Sequence, residues 1–410
     1  MFKKNLTHNQ SQLFGLSFYL NKDKQKRLEN SSGGHFYRLV FCNIQEEDFS
    51  VLYSTKHSAP NAPINCMIAA LLLMQKHSWT YAQLFEQIDF NLETRFALGL
   101  QDLEKVPFTE PTLFNFKSRL NTHFVNTGED LIGKLFDRLT NQQLKELKLK
   151  TTIQRTDSLL LNSNIRSYSR IELLVELLLR FYSILTAEEQ ERYTADLSDY
   201  IGKKANEYIR HIKPGDQNTH LQKLGQVYHL LYTQLQDIYR EHEAFQVFSR
   251  VYAEHFTLPE TDEKTSVPAP KPNEALNSKC LQSPDDTEAT YRKKKGKQYQ
   301  GYVAMVTETC HPDNDLQLIT DVHTATNNTD DTQLLHERLD SIKEKTPDLE
   351  QLHHDGGFGS EDNDIKLNEL GITPIQTAIK GCCASSPSLL PSNPIPTRIG
   401  YNVPIHNTPK

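Results

Sequence analysis

Two aspartates far apart in the chain stand at the ends of short strand-like runs. Residues 151–156, Thr-Thr-Ile-Gln-Arg-Thr, lead into Asp157, and residues 349–354, Leu-Glu-Gln-Leu-His-His, lead into Asp355. Both runs have the length of a strand, so each acid is expected to close one. Gly356-Gly357-Phe358-Gly359 follows the second acid and lets the backbone turn sharply away. Carboxylates at the carboxyl ends of neighbouring strands in an α/β sheet are well placed to share a hard cation. Mg²⁺ typically takes one or two carboxylates and completes its octahedron with water and phosphate oxygens. Two such ions, about 3.5–4 Å apart, can activate a water and stabilise the leaving oxygen of a phosphodiester. An Asp at a strand end also commonly caps a turn, and spacing alone does not separate the two uses.

Other chemistry-bearing residues make weaker cases. His353 and His354 adjoin Asp355, but neighbours on a strand point to opposite faces, so only His353 can share the acid's side, and a non-ligand role is expected for it. Asp313, Asp315, Asp321, Asp330 and Asp331 lack the spacing of a calcium loop and are expected to serve turns and caps. Residues 291–297 hold five cations, Arg292, Lys293, Lys294, Lys295 and Lys297, which suit either a nucleic-acid backbone or a solvated loop. The six cysteines, at 42, 66, 280, 310, 382 and 383, form no C-x-x-C pair, so reduced thiols are expected rather than a zinc ribbon or a disulfide framework.

The elements that must position the two acids can be read from periodicity. Ile64, Met67, Ile68, Leu71 and Leu72 give a helix that is apolar almost all round, followed by helices at about 80–88 and from Thr109-Glu110-Pro111-Thr112 onward. This front part has helix-turn-helix-like spacing, and Lys117 and Arg119 on its third helix are candidate phosphate contacts. After the strand ending at Asp157, helical spacing returns at 171–184, 199–212 and 221–256, and the proline-rich stretch 267–272 reads as a linker. Strands are then expected at 299–309 and 316–324, a helix at 332–343 capped by Asp330 or Asp331, a strand at 349–355, a helix at 361–370 and a strand at 372–379. The order β, helical insert, β, β, α, β, α, β, with the first acid on the opening strand and the second on the strand after the first core helix, is the ribonuclease-H-like arrangement.

Longer stretches carry a family resemblance. Thr156-Asp157-Ser158, Asn162-Ser163-Asn164-Ile165-Arg166 and the helix beginning Ser169-Arg170-Ile171-Glu172 are similar to the first catalytic strand and its sequel in DDE transposases of bacterial insertion sequences. Residues 283–292 (Ser-Pro-Asp-Asp-Thr-Glu-Ala-Thr-Tyr-Arg), Gly301-Tyr302-Val303-Ala304 with Thr307-Glu308-Thr309, and His354-Asp355-Gly356-Gly357-Phe358-Gly359-Ser360 resemble the second block of the same branch. The likeness covers roughly residues 35–380. It implies Asp157 and Asp355 as the first two catalytic, metal-binding acids, with Mg²⁺ or Mn²⁺ as cofactor. The reactions implied are hydrolysis at the element end and attack of the freed 3′-hydroxyl on target DNA. In the family, a glutamate well downstream of the second aspartate completes the set. Here only Glu361 and Glu369 follow before Lys410, so the chain is expected to be truncated and inactive.

The expected domains are a helical DNA-binding part at 1–145, a ribonuclease-H-like catalytic domain at 146–164 and 280–385, a helical insertion with its linker at 165–279, and an irregular tail at 386–410. Length and composition agree: 410 residues exceed one ordinary domain, and 37% hydrophobic with 24% charged residues suits a folded soluble protein. No apolar run spans a bilayer and no signal peptide opens the chain, so a cytoplasmic, nucleoid-associated location is expected. The net charge of −7 hides a contrast, because residues 1–150 hold 18 Lys+Arg against 15 Asp+Glu. The partners implied are DNA, as terminal inverted repeats and as target, and a second copy of the chain. The alternatives are a non-catalytic DNA-binding remnant and a metal-dependent nuclease.

Overall fold

The computed structural model describes residues 1–9, 15–55, 59–213, 215–257 and 268–377. Apolar periodicity divides them among three hydrophobic cores, two helical and one beneath a sheet. The first core gathers α1 (Lys22–Glu29), α2 (Ser32–Leu39), α3 (Ile64–His77), α4 (Tyr81–Phe90), α5 (Leu92–Ala97), α6 (Glu110–Thr127) and α7 (Leu131–Glu146). As its nearly all-apolar sequence requires, α3 is the central helix, with Ile64, Met67, Ile68 and Leu73 buried. Thr80 and Gln83 form a capping box at the start of α4, and Pro111 sits in the first turn of α6, where its missing N–H leaves no hydrogen bond unmade.

The second core is aromatic. It is built by α8 (Arg170–Ile184), α9 (Ala187–Tyr193), α10 (Ala205–Arg210), α11 (Gln217–Tyr239) and α12 (Glu243–His255). The spacing at 221–256 predicts one helix. The chain instead breaks at residues 240–242, where the His242 ring accepts a hydrogen bond from the Ala244 N–H and starts α12. A single helix of that length would extend about 50 Å and could not fold its two aromatic faces into one core. The break stacks Phe248 on Tyr228, ring centroids 4.3 Å apart, while the Tyr228 hydroxyl donates to the Leu174 carbonyl. Residues 199–212, expected as one helix, hold only the short α10. The proline-rich stretch is not a free linker in its described part: β2 (Phe256–Thr257) pairs antiparallel with β3 (Ala269–Pro270), and Pro268 is buried.

The third core lies under a six-stranded mixed sheet, β1 (Ile153–Asn162), β4 (Thr290–Lys294), β5 (Lys297–Thr309), β6 (Ile319–Thr326), β7 (Gln351–His354) and β8 (Thr373–Gln376). Antiparallel pairing joins β6 to β5, β5 to β1 and β4 to the start of β5, whereas β1 to β7 and β7 to β8 are parallel. Val303, Met305 and Leu352 from one face of the sheet pack on α13 (Asp331–Lys345) and α14 (Glu361–Glu369) through Leu334, Leu335, Leu339 and Leu367. The apolar spacing of α13 forces this docking, and the helix stops at Thr346, just before Pro347. Among the described residues no helix is long and apolar enough to cross a membrane, and Cys42, Cys66, Cys280 and Cys310 are free thiols, while Cys382 and Cys383 lie outside the described residues.

Candidate functional site

Strand alternation sets the faces of β1. Gln154 and Thr156 are buried toward α13, where the Gln154 amide donates to Thr346 Oγ1 at 2.8 Å. Arg155 and Asp157 occupy the opposite, exposed side. Asp157 Oδ1 accepts a hydrogen bond from the Ser158 N–H at 2.7 Å. The expectation that Asp157 closes its strand is corrected: β1 runs on to Asn162, because Ser158–Leu161 keep antiparallel partners on β5. The ladder that stops near the acid is the parallel one to β7, whose last pair with β1 is Arg155↔His353.

Two residues beyond that pair on each strand stand Asp157 and Asp355, so the parallel register brings the two acids level at the end of β7. The glycines then turn the chain, and the turn takes up the Asp355 carboxylate: its Oδ1 accepts from the Gly357 N–H at 2.9 Å, while its carbonyl accepts from the Phe358 N–H. His353 is half-buried on the side of Arg155. His354 points inward, 4% exposed, its ring edge-on to Phe358 and its Nδ1–H donating to the Asp355 carbonyl, with Nε2 buried and unpartnered. Burial first, and then the neighbouring His354, hold the His353 imidazole below its ordinary pKa.

A third acid meets this turn that sequence reasoning had assigned to capping. A Cβ built on Gly357 would lie 3.0 Å from Asp355 Oδ1 and 3.2 Å from Asp331 Oδ2. Asp331 opens α13 in its first turn, behind Asp330 at the N-cap position, and its Oδ1 is buried without a hydrogen-bond partner. No ion pair is formed by Asp157, Asp331 or Asp355 among the described residues. Nor do three His, Cys, Asp or Glu side chains there converge closely enough to hold a metal ion together. The two acids weighed downstream, Glu361 and Glu369, are exposed at the two ends of α14. Ser360 caps that helix as expected, accepting from the Asn363 N–H. The expected irregular tail at 386–410 lies outside the described residues.

The basic stretch is a hairpin. Lys294 pairs with Lys297 across Lys295 and Gly296, whose φ angles of 50° and 79° give the doubly left-handed turn that matches strand twist. Lys293, Lys294, Lys295 and Lys297 are exposed. Arg292 is half-buried and points back, donating to the carbonyls of Asn327 at 3.0 Å and Thr329 at 3.3 Å. On α6, Lys117 and Arg119 are exposed, the first 3.3 Å from the Tyr81 hydroxyl and the second 4.9 Å above the Tyr53 ring.

No curated protein and no solved structure matches the chain. Residues 26–119, from α1 into α6, match the family model of a transposase domain (DUF772), and the match supports a transposase family for this chain.

Proposed function

We propose that the chain is a DDE-type insertion-sequence transposase that binds the element's terminal inverted repeats and acts on phosphodiesters with Mg²⁺ or Mn²⁺ held by Asp157 and Asp355. The observation that carries this reading is the β1–β7 register, which sets two unpaired carboxylates level on adjacent parallel strands across nearly two hundred residues of chain. Strand order β6-β5-β1-β7-β8, antiparallel in its first half and parallel in its second, supports a ribonuclease-H-like catalytic domain at 146–164 and 280–385. On this reading the helices of 165–279 are an insertion and 1–145 bind DNA, aided by Lys117, Arg119 and the hairpin lysines.

The residues present fit a hard cation. Gly357 leaves a cradle between two carboxylate oxygens, and the Asp331 oxygen beside it has no protein partner. When bound, the ion lowers the pKa of a coordinated water and takes up charge on the leaving oxygen. The chain's own groups do the positioning. The Ser158 and Gly357 N–H groups fix one oxygen of each aspartate, and the rigid ladder of β1 with β5 sets the depth at which a phosphate can approach. Hairpin lysines reach a DNA backbone as point charges.

The test is divalent-ion-dependent cleavage of duplexes carrying the element's own ends by the purified full chain. Cleavage lost in Asp157→Ala and Asp355→Ala, with salt-sensitive binding kept, is the expected result. Salt-sensitive binding without any cleavage would identify a DNA-binding remnant instead, and nicking of arbitrary DNA without joining would identify a nuclease.

A further inference from the structure

Asp331 is placed in a way that helix capping does not explain. A carboxylate in the first turn of α13 gains from the helix N-terminus, and that gain asks only for proximity to the free N–H groups. Asp331 instead keeps Oδ1 buried with no hydrogen bond and presents Oδ2 to the gap above Gly357, which Asp355 Oδ1 enters from the other side. A buried acceptor without a partner is destabilising, and two carboxylates facing one gap repel each other. No lysine, arginine or histidine relieves either cost through an ion pair at this turn. Gly357 keeps the gap open, since any Cβ there would press on both oxygens at 3.0 and 3.2 Å. A small divalent cation with oxygen ligands offsets both costs at once.

We propose that Asp331 is a third carboxylate of the metal centre, joining Asp355 at the Gly357 turn to bind one divalent cation; the proposal rests on the reading of Asp157 and Asp355 as metal ligands. The ion's remaining positions belong to water and phosphate oxygens, and Asp157 stands on the neighbouring strand.

Mn²⁺ alone, titrated into the full 410-residue chain and followed by calorimetry and by the electron-spin signal of free Mn²⁺, tests this without any activity assay. The expected result is affinity reduced at least tenfold in Asp331→Asn and in Asp355→Asn, and unchanged in the exposed control Asp315→Asn. In EDTA, Asp331→Asn should melt no lower than the parent, because the repulsion is relieved; a purely capping residue would lower the melting temperature and leave Mn²⁺ affinity intact, and that overturns the proposal. Gly357→Ala keeps Asp331 in place and should weaken Mn²⁺ binding too. Parent-like affinity in Asp331→Asn beside lost affinity in Asp355→Asn would sink the role of Asp331 and leave the two-aspartate reading standing. Absence of Mn²⁺ binding by the parent, or binding indifferent to both Asp157→Asn and Asp355→Asn, would remove that reading and the proposal with it.

Discussion

Aspartates at two places on the same sheet meet opposite surroundings. Asp321 on β6 is 1% exposed and fully compensated: Arg338 grips it with two hydrogen bonds, at 2.9 and 2.7 Å, and Lys345 adds a third at 2.9 Å. Lys345 also pairs with Asp137 of α7, so this cluster ties the front helices to the sheet. At the other place, Asp331 and Asp355 converge on Gly357 with no basic partner, and Asp157 lies one strand away in the same condition. A buried carboxylate surrounded by donors is a fastening, whereas carboxylates left facing one another are stable only when something outside the chain joins them. The contrast separates a structural acid from a binding acid more sharply than position on a strand does.

The largest expected effect tests the fastened side. Asp321→Asn should cost about 3 kcal/mol of stability, because it leaves Arg338 and Lys345 side by side without their counter-charge. Asp331→Asn and Asp355→Asn should change metal-free stability by less than about 0.5 kcal/mol. Urea denaturation in EDTA measures all three, and equal losses would erase the distinction. Although burial alone would raise it, hydrogen bonds from Arg338 and Lys345 hold the Asp321 carboxyl below its ordinary value. Its contribution is therefore full above the unfolded pKa of about 3.9 and is lost as pH falls through the lower folded value.

The helical core supplies a buried base for the same comparison. Burial, followed by the charges of Arg170 and Lys271, lowers His255 to about 4. The unfolded chain then takes up the proton first, so stability is full above about pH 6.5 and declines by about 3 kcal/mol as pH falls toward 4. Asn at position 255 should flatten that limb of a stability–pH curve; an unchanged limb would mean that another group sets it.

Smaller effects sharpen the open side. Gly357→Ala should weaken Mn²⁺ binding several-fold, worth about 1 kcal/mol, with little change in metal-free melting. Each alanine at Lys293, Lys294, Lys295 or Lys297 should lower the salt slope of DNA binding by about 0.9 unit. Arg292→Ala should instead loosen the hairpin and leave that slope nearly untouched, since its guanidinium already serves two carbonyls.

Much of this architecture was legible because it is written in local pattern. The order of strands and helices after Lys150, the caps at Thr80 and Ser360, and the two acids all follow from periodicity and turn residues. What escaped was set by tertiary packing. No rule of spacing tells that 221–256 folds back at residue 240, since only the aromatic core it completes demands the break. The strand at 290–294 was read as a basic loop because its partner, the start of β5, lies across a two-residue turn of Lys and Gly. Asp331 was read as a cap, and by position it is one. That its helix begins beside a glycine turn 26 residues later depends on how α13 docks under β7, and the one local hint, a second Asp next to a sufficient N-cap, is too common to carry weight alone.

The long strand β5 has a consequence for scale. Its first residues carry the lysine hairpin and its later ones pair with β1, where Val306 lies opposite Asp157. Nine residues separate Lys297 from Val306 along one continuous strand, a span of roughly 30 Å at about 3.3 Å per residue. At about 3.4 Å per base pair, that span covers roughly nine base pairs of duplex. On the proposed reading β5 is a measuring rod: where the lysines settle on the backbone fixes which phosphate, close to one helical turn away, comes level with the aspartates. Inserting two residues into both β4 and β5 beside the turn would shift the cut, not abolish it.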